Sequence, residues 1–419
     1  MSKRLGLVML LAVAALFLFA NRAAYRGYFQ DDEFDTLSWV RYGNVGEYLK
    51  IEASPLFQKD NFRPTGHFFF FAMERFAGLD FPKYVAALHV IHLFNVWLIW
   101  MLARRLGAPL MPASVGALFF AMHMALFDAV WKPMYVYDVL CATFCLISIL
   151  LYSQRRWILS VVAFWLAYKA KELAVMLPVA LAAYEFWFGD RRWKLLIPFF
   201  AASMSFGLQA LLLNPNQDNE YTFRFTLGAL TKTSVYYAER VFLLPYAGFL
   251  LPLTLLIRGR ASRQLWFGLA ILGLFFLPLL FLPGRIFAAY CYLPFTGLAL
   301  ALSAVAEMVP PVWIGIFLLI FLRQDVHALR VQQRLTLARD NDVRAWAATL
   351  TEFARTGAPV DGFVVDGAPD GFARWGVEGA AKYIFRRLDL KFAYAGNLEA
   401  KTVVLRWNNF SHTLEIAKR

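Results

Sequence analysis

The chain is poor in cysteine and in charged residues. It has three cysteines among 419 residues, all in or beside apolar stretches, so neither a zinc site nor a disulfide framework is indicated. Charged residues make up 17% of the chain, whereas a soluble domain of this size carries about a quarter. Internal repeats, low-complexity tracts and a phosphate-cradling glycine-rich loop are also missing. These absences argue against a soluble protein built on zinc, disulfides or a phosphate-binding loop.

Acidic residues are outnumbered, with 29 Asp and Glu against 42 Lys and Arg, which gives a formal net charge of +13. Such an excess could indicate nucleic-acid binding. The basic residues, however, collect in short runs between hydrophobic segments, where the positive-inside rule of membrane proteins expects them. We therefore predict no nucleic-acid partner.

What the chain does have is hydrophobic residues, which make up 60% of the sequence and occur in long blocks. A helix needs about 20 apolar residues to cross a bilayer. On this basis we predict an all-α polytopic membrane protein with about eleven transmembrane helices, at 5–21, 83–103, 111–130, 135–152, 157–169, 173–188, 195–213, 236–257, 265–283, 288–307 and 311–322. The first span follows a basic start and resembles a signal peptide, but no clear small-residue cleavage site follows it, so we interpret it as uncleaved.

Basic pairs and triplets indicate the orientation. The following residues fall on one side under this scheme: Lys3, Arg4, Arg104, Arg105, Arg155, Arg156, Arg191, Arg192, Lys194, Arg258, Arg260 and Arg263. That side is predicted to be the cytoplasm. The sequence thus predicts a multi-pass protein of the cell inner (plasma) membrane, with a cytoplasmic N-terminus and with the loop 22–82 and the C-terminal tail outside.

The composition changes near residue 323 to that of a soluble domain. Residues 324–356 have helical character, Gly362–Asp366 and Thr402–Trp407 indicate strands, and Gly376–Leu388 indicates a helix. We predict a transmembrane domain at 1–322 and a small extracytoplasmic α/β domain at 323–419.

Four acidic residues, Asp31, Asp32, Glu33 and Asp35, follow the first span almost immediately. The predicted topology brings other ionisable residues to the same outer face, namely Arg63, Asp138, Lys171, Glu172, Arg240 and Arg285. The span interiors are nearly free of charge, whereas a transporter would place ionisable residues near the membrane midplane. We therefore predict a reaction or binding site at the outer leaflet that includes Asp31 and Asp32, with Glu33 and Asp35 as solvated loop residues.

Such a site suits a substrate with a phosphate at the headgroup level and a hydrocarbon tail in the lipid. Arginine and lysine bind phosphate, and a carboxylate can take a proton from an attacking hydroxyl. The chemistry implied is displacement at a sugar carbon with a lipid phosphate as the leaving group.

Five motifs occur in order within residues 1–310. They are Phe29-Gln-Asp-Asp-Glu33, Phe62-Arg-Pro64, the stretch from Tyr137-Asp138 to Phe144, Lys171-Glu172 with Leu177-Pro178 and Tyr184-Glu185, and the aromatic-proline signatures Tyr236-Tyr-Ala-Glu-Arg240 with Leu244-Pro245 and Tyr292-Leu-Pro294. With them the chain resembles the GT-C class of polytopic membrane glycosyltransferases, in the branch of protein O-mannosyltransferases and their bacterial relatives. Each motif alone is a weak signal, and the ordered set carries the resemblance.

The resemblance implies an inverting glycosyltransferase that takes a sugar from a polyprenyl-phosphate donor and passes it to a protein, glycan or lipid hydroxyl. Asp31 or Asp32 would be the catalytic base, and Arg63, Lys171 and Arg240 would face the donor phosphate. Asp138 and Glu172 would orient the acceptor or the sugar, or tune the base. No cofactor is implied, and although paired acids can bind a divalent ion, an obligatory metal is not expected.

The chain departs from the family pattern in two places. An arginine often precedes the Tyr-Leu-Pro signature by a few residues, whereas this chain has Ala288-Ala289-Tyr290-Cys291 there. Arg285, about one helical turn earlier, is the candidate substitute. The tetratricopeptide tail of some relatives is replaced by the small soluble domain.

Two other classes of protein are open on the sequence alone. A lipid-linked-glycan transporter or flippase would need polar residues inside the spans, and these are scarce. A membrane scaffold would act through residues 324–419 as the partner-binding part.

Overall fold

The protein was described from a computed structural model, which covers residues 2–56, 63–213, 218–241, 262–394 and 402–418. Helices dominate up to residue 355, and one small sheet follows. The α-helices are α1 Ser2–Ala20, α2 Asp31–Val40, α3 Val45–Ala53, α4 Pro64–Ala77, α5 Phe81–Arg105, α6 Leu110–Met122, α7 Phe127–Trp131, α8 Val136–Ser153, α9 Trp157–Ala170, α10 Leu177–Trp187, α11 Ile197–Leu213, α12 Leu227–Val241, α13 Arg263–Phe276, α14 Tyr292–Met308, α15 Pro311–Arg355 and α16 Arg374–Phe385. The strands are β1 Gly362–Asp366, β2 Lys391–Ala393, β3 Thr402–Asn408 and β4 Thr413–Lys418.

Within the described ranges, five helical segments are long and apolar enough to cross a membrane: Phe81–Arg105, Pro133–Ser153, Arg263–Phe281, Ala288–Met308 and Pro311–Arg355. The pair Leu110–Met122 and Met124–Trp131, bent by 47°, makes a sixth candidate. The helices at 4–20 and 157–170 are apolar but shorter. A polytopic helical membrane protein is thus confirmed, while the count of eleven spans stays a prediction. Residues 242–257 of the predicted eighth span, with Leu244-Pro245, lie outside the described ranges.

Helix α14 lies at the centre of the bundle, because 94% of its most apolar window is buried inside the protein. Neighbouring helices approach it through small residues. A Cβ on Gly268 of α13 would lie 2.5 Å from the backbone nitrogen of Ala301, and a Cβ on Gly297 would lie 2.5 Å from that of Leu272. Such close approach is typical of helix packing in membranes, where dispersion contacts replace the hydrophobic driving force.

Basic residues gather at one end of the helices. Arg105 donates a hydrogen bond to the carbonyl of Ser153 at 2.8 Å. Arg155 and Arg192 both pair with Asp190, at 3.0 and 2.9 Å. Residues from three of the predicted inner segments therefore meet, as the positive-inside interpretation requires.

The predicted outer loop 22–82 is largely helical. It contains a 3₁₀ turn at Arg22–Arg26 and the helices α2, α3 and α4. Proline in the first turn starts α4, since it fits the helical φ there and gives up no hydrogen bond. The described parts of this loop, 22–56 and 63–82, therefore form a helical layer that packs on the bundle.

The C-terminal region contains a helix and a small sheet. Its four-stranded sheet has the order β2-β1-β3-β4, in which β1 is parallel to β2 and β3, and β4 is antiparallel to β3. The predicted strands and the helix at 374–385 are confirmed, whereas β2 and β4 were not predicted. The predicted domain boundary at 322/323 falls inside the 45-residue helix α15, which runs from the spanning region into the soluble domain without a break.

Candidate active site

Asp138, Lys171 and Glu172 lie at helix ends opposite the arginine-rich end. Helix α8 carries Asp138 in its first turn and ends at Ser153, beside the arginines. Helix α9 runs the other way and ends at Ala170, so that Lys171 and Glu172 follow it at the end where α8 begins. The chain order alone therefore brings three of the predicted site residues to one depth.

Arg63 binds Glu172 through a two-pronged ion pair. Its Nε donates to Oε1 at 2.9 Å, and its second amino group donates to Oε2 at 3.0 Å. The side chains are 30% and 42% exposed, so the pair lies on an accessible surface. Arg63 is the residue that precedes α4, and Gly66 one turn later allows that helix to pack directly on the ring of Tyr137. A paired guanidinium held in this way is pre-oriented for a phosphate.

Lys171 and Asp138 form a second ion pair, which is buried. Nζ of Lys171 lies 2.5 Å from Oδ1 of Asp138, with the side chains 9% and 5% exposed. The same Nζ lies 4.1 Å from the ring centroid of Tyr290. A charge pair in this setting is stable only while both partners are present.

Tyr290 extends this group to Arg285, because the Arg285 side chain lies beside the tyrosine hydroxyl. Arg285 also pairs with Glu220 at 3.4 Å and stacks over Tyr221 at 4.6 Å. The sequence analysis did not predict a role for Tyr290. Its position in Ala288-Ala289-Tyr290-Cys291, where the chain differs from the family pattern, could have indicated one. Arg285 thus reaches the group through an aromatic residue rather than by direct contact with the other predicted cations.

Arg240 lies near this group, but its side chain folds back onto its own helix. Its guanidinium carbon is 3.3 Å from the Tyr236 ring centroid, and it donates to the Tyr236 carbonyl at 2.8 Å. Arg240 and Asp138 both lie within electrostatic range of Cys291. Arg240 lies in the described part of α12, and the predicted span 236–257 that it would open continues outside the described residues.

Asp31 and Asp32 begin α2 and face the C-terminal domain. The backbone N–H of Ala373 donates to Oδ1 of Asp31 at 2.7 Å, and Nε1 of Trp375 donates to Oδ1 of Asp32 at 2.7 Å. Partial burial raises the pKa of Asp31 above its ordinary value, against the opposing effect of the Ala373 hydrogen bond. Asp32 is exposed.

Asp32 is connected to the cation group through Tyr137. Asp32 lies within electrostatic range of Tyr137, and the guanidinium carbon of Arg63 is 5.9 Å from the same ring. The structure therefore brings Arg63, Glu172, Lys171 and Asp138 into one cluster, which we call the paired-charge cluster. Asp32 lies on one side of it, whereas Asp31 faces Ala373, and Arg240 and Arg285 approach it from α12 and from the segment before α14.

Glu33 is not the solvated loop residue that the sequence predicted. It is 2% exposed, and its two carboxylate oxygens accept from the backbone N–H groups of Gln30 at 3.0 Å and Met134 at 3.1 Å. It thereby ties the start of α2 to the turn before α8. The prediction failed because a run of acids does not reveal which member turns inward. Asp35 is exposed, as predicted, but it lies within helix α2 and not in a loop.

Burial raises the pKa of Glu33 to about 7 from 4.5, although both hydrogen bonds oppose this shift. The folded protein therefore keeps the proton up to about pH 7, whereas the unfolded chain loses it near pH 4.5. The free energy of unfolding is expected to fall as the pH rises through this window, by up to about 3 kcal/mol. Melting temperatures at pH 5 and pH 8 measure the effect. Glu33→Gln should lose this pH dependence and Asp80→Asn, at an exposed acid, should keep it; an unchanged slope in Glu33→Gln contradicts the assignment.

No protein-family model matches the sequence, and the comparison with curated proteins gives no match. Solved structures do match. The arabinofuranosyltransferase AftD from Mycobacteria is similar over 88% of this chain at 17% identity with a TM-score of 0.51, but this chain spans only 30% of its length. ArnT from Cupriavidus metallidurans is similar in the apo state over 95% of this chain and 87% of its own, at 13% identity and a TM-score of 0.54. ArnT from the same organism bound to undecaprenyl phosphate is similar over 93% of this chain and 86% of its own, at 14% identity and a TM-score of 0.52.

These likenesses show the fold. The chain has the polytopic architecture of the GT-C membrane glycosyltransferases, so the resemblance seen in the sequence motifs is confirmed for the fold.

Proposed function

We propose that the protein is an inverting glycosyltransferase that moves a sugar from a polyprenyl-phosphate donor to a hydroxyl acceptor at the outer face of the inner membrane. The observation that carries this proposal is the paired-charge cluster, with two cations and two carboxylates at helix ends, on a GT-C fold. The undecaprenyl phosphate bound to ArnT supports a polyprenyl donor. Folds alone do not define function, so the argument depends on this cluster.

In the proposed reaction the acceptor oxygen attacks the anomeric carbon of the donor sugar while its proton passes to an aspartate, Asp31 or Asp32. The bond between the anomeric carbon and the phosphate oxygen breaks, and its electron pair stays with the polyprenyl phosphate. Arg63 and Lys171 stabilise the charge that develops on the leaving phosphate. Configuration inverts because the displacement occurs in one step.

The carboxylates of the cluster have a separate part in this scheme. Glu172 uses Nε and one amino group of Arg63, and we assign the other amino group to the donor phosphate. Asp138 fixes Lys171, whose ammonium has two further protons to donate. Arg240 and Arg285 are proposed to contact the donor at the edge of the cluster. Because cations take this role, the proposal includes no obligatory metal, and activity is expected to survive treatment with EDTA.

Arg63→Ala is expected to weaken undecaprenyl phosphate binding by about tenfold to 100-fold, since one hydrogen bond to a charged group contributes about 1.5–3 kcal/mol. Arg63→Lys should recover only part of the affinity, because an ammonium lacks the planar fork. Binding is measured on the purified protein in nanodiscs. Arg75→Ala, which alters an exposed arginine on the same helix, is the matched control and should bind normally. Equal affinity in Arg63→Ala would remove this residue from the donor site.

A transport function makes a different prediction. A flippase for lipid-linked glycans would scramble such lipids in vesicles without transferring sugar. The activity test uses a panel of labelled polyprenyl-phosphate sugars and a membrane extract as acceptor source. Transfer supports the enzyme, and scrambling without transfer supports the transporter. If deletion of residues 324–419 abolished the only phenotype while Asp32→Ala had no effect, a scaffold would be favoured.

A further inference from the structure

The soluble domain is in direct contact with the predicted base. Helix α16 begins at Arg374, and the two hydrogen bonds from Ala373 and Trp375 reach Asp31 and Asp32. The next turns of α16 pack backbone against backbone on α2. A Cβ on Gly376 would lie 2.7 Å from Cα of Asp31, and one on Gly379 would lie 2.5 Å from the nitrogen of Asp35. The domain is therefore part of the wall around these acids rather than a tethered appendage.

A cavity of about 320 Å³ opens in this domain at the carboxyl end of β1. The loop 367–373 forms one side of it, between β1 and α16. Gly367 and Gly371 have φ of 93° and 75°, so the loop turns sharply and presents its backbone to the cavity. Ligands of open parallel sheets bind outside the carboxyl ends of the strands. The position thus fits a binding site in a domain whose β1 is parallel to both neighbours.

The lining of the cavity combines aromatic and charged groups. Phe372, Tyr394, Asp370 and Arg374 are among the residues that line it. The Arg374 guanidinium carbon lies 4.5 Å from the Tyr394 ring centroid, and the Tyr394 hydroxyl donates to the Arg374 carbonyl at 3.1 Å. The planar cation is thereby held in place over an aromatic face. Apolar faces next to fixed donors and acceptors suit a ligand with many hydroxyl groups on a compact ring.

The residues that line this cavity and the residues that bond to Asp31 and Asp32 are neighbours in the sequence. Phe372 and Arg374 line the cavity, while Ala373 between them donates to Asp31, and Trp375 after them donates to Asp32. Trp375 is 54% exposed, so its indole offers a free face beside Asp32. Residues that line the cavity therefore alternate along the chain with residues that bond to the two acids.

We propose that this cavity binds the saccharide portion of the acceptor and presents its hydroxyl to Asp32. This inference depends on the proposed function and names the acceptor class as a sugar. The cavity size is at the lower end of small-molecule sites, which suits one or two sugar rings. In this proposal the acceptor reaches the carboxylate beside Trp375, which follows Arg374 of the cavity lining and bonds to Asp32.

The test uses the full-length protein in nanodiscs and a panel of methyl glycosides of hexoses and pentoses, with binding followed by ligand-observed NMR. At least one glycoside should bind the wild-type protein. Arg374→Ala, which removes the planar cation, and Ala368→Trp, which fills the cavity, should each weaken binding at least about tenfold. Arg387→Ala, at the amino end of β1 in the same domain, is the matched control and should bind normally.

Undecaprenyl phosphate binding and sugar transfer separate the two proposals. Cavity variants should keep the affinity for undecaprenyl phosphate and raise the acceptor KM. If no glycoside binds the wild type, or if both cavity variants bind as it does, the acceptor site is wrong although the enzyme proposal stands. If the wild type neither binds undecaprenyl phosphate nor transfers sugar, the proposed function fails, and glycoside binding would then still report on the cavity alone.

Discussion

Sugar transfer by a Lys171→Met variant is expected to fall by at least about 100-fold, because the loss of one preorganised charge facing a developing anion costs this much. The free energy of unfolding should also fall, by about 3–5 kcal/mol. Removing the lysine leaves Asp138, whose side chain is 5% exposed, without its counter-charge in a low-dielectric setting. Transfer assays and denaturant titration in detergent measure the two effects.

A second variant separates folding from chemistry at this pair. The double variant Lys171→Met with Asp138→Leu replaces both charges by apolar groups, which is often neutral for stability when packing is preserved. It should recover most of the lost stability and none of the lost transfer. Lys83→Met serves as a control, since its ion pair with Asp80 is 49% and 42% exposed and should contribute less than about 1 kcal/mol. Recovery of transfer in the double variant would mean that Lys171 has only a structural role.

The helical fold and the small sheet could be predicted because they depend on local patterns. Long apolar blocks indicate buried or spanning helices, and Gly362–Asp366 carries the β-branched residues of a short buried strand. The same patterns could not show that α15 is continuous across the predicted boundary, since a change from apolar to mixed composition does not interrupt a helix. Strand β2, with three residues, is too short to stand out from a loop.

The candidate site could be predicted in part. Adjacent residues in a motif lie together by necessity, so Lys171 and Glu172 belong to one place in any fold, and the predicted topology puts Arg63 and Asp138 at the same depth. The specific pairing of Arg63 with Glu172 and of Lys171 with Asp138 depends on helix packing, on which the pattern is silent. Contacts between Asp31 and Ala373 join residues 342 positions apart, so only a three-dimensional structure could reveal them.

Of the two acids, Asp32 is the stronger candidate for the base. Its carboxylate is exposed, and one oxygen is bound by the Trp375 indole, which orients the group and leaves the second oxygen for an acceptor hydroxyl. Asp31 is partly buried, and its Oδ1 accepts from Ala373 at the start of α16. The helix dipole stabilises a negative charge at this position. Asp32 is therefore assigned to proton transfer, and Asp31 to holding the two domains together.

Asp32→Asn is accordingly expected to lower the rate of transfer by about 100-fold to 10,000-fold, the range typical of lost general-base catalysis. Asp31→Asn should lower it by less than about tenfold, because the amide oxygen can still accept from Ala373. Undecaprenyl phosphate binding should be unchanged in both variants, since neither touches Arg63 or Lys171, and this confirms that each variant is folded. The comparison is decisive in both directions: equal losses would make the two aspartates a joint base, and a greater loss in Asp31→Asn would reverse the assignment.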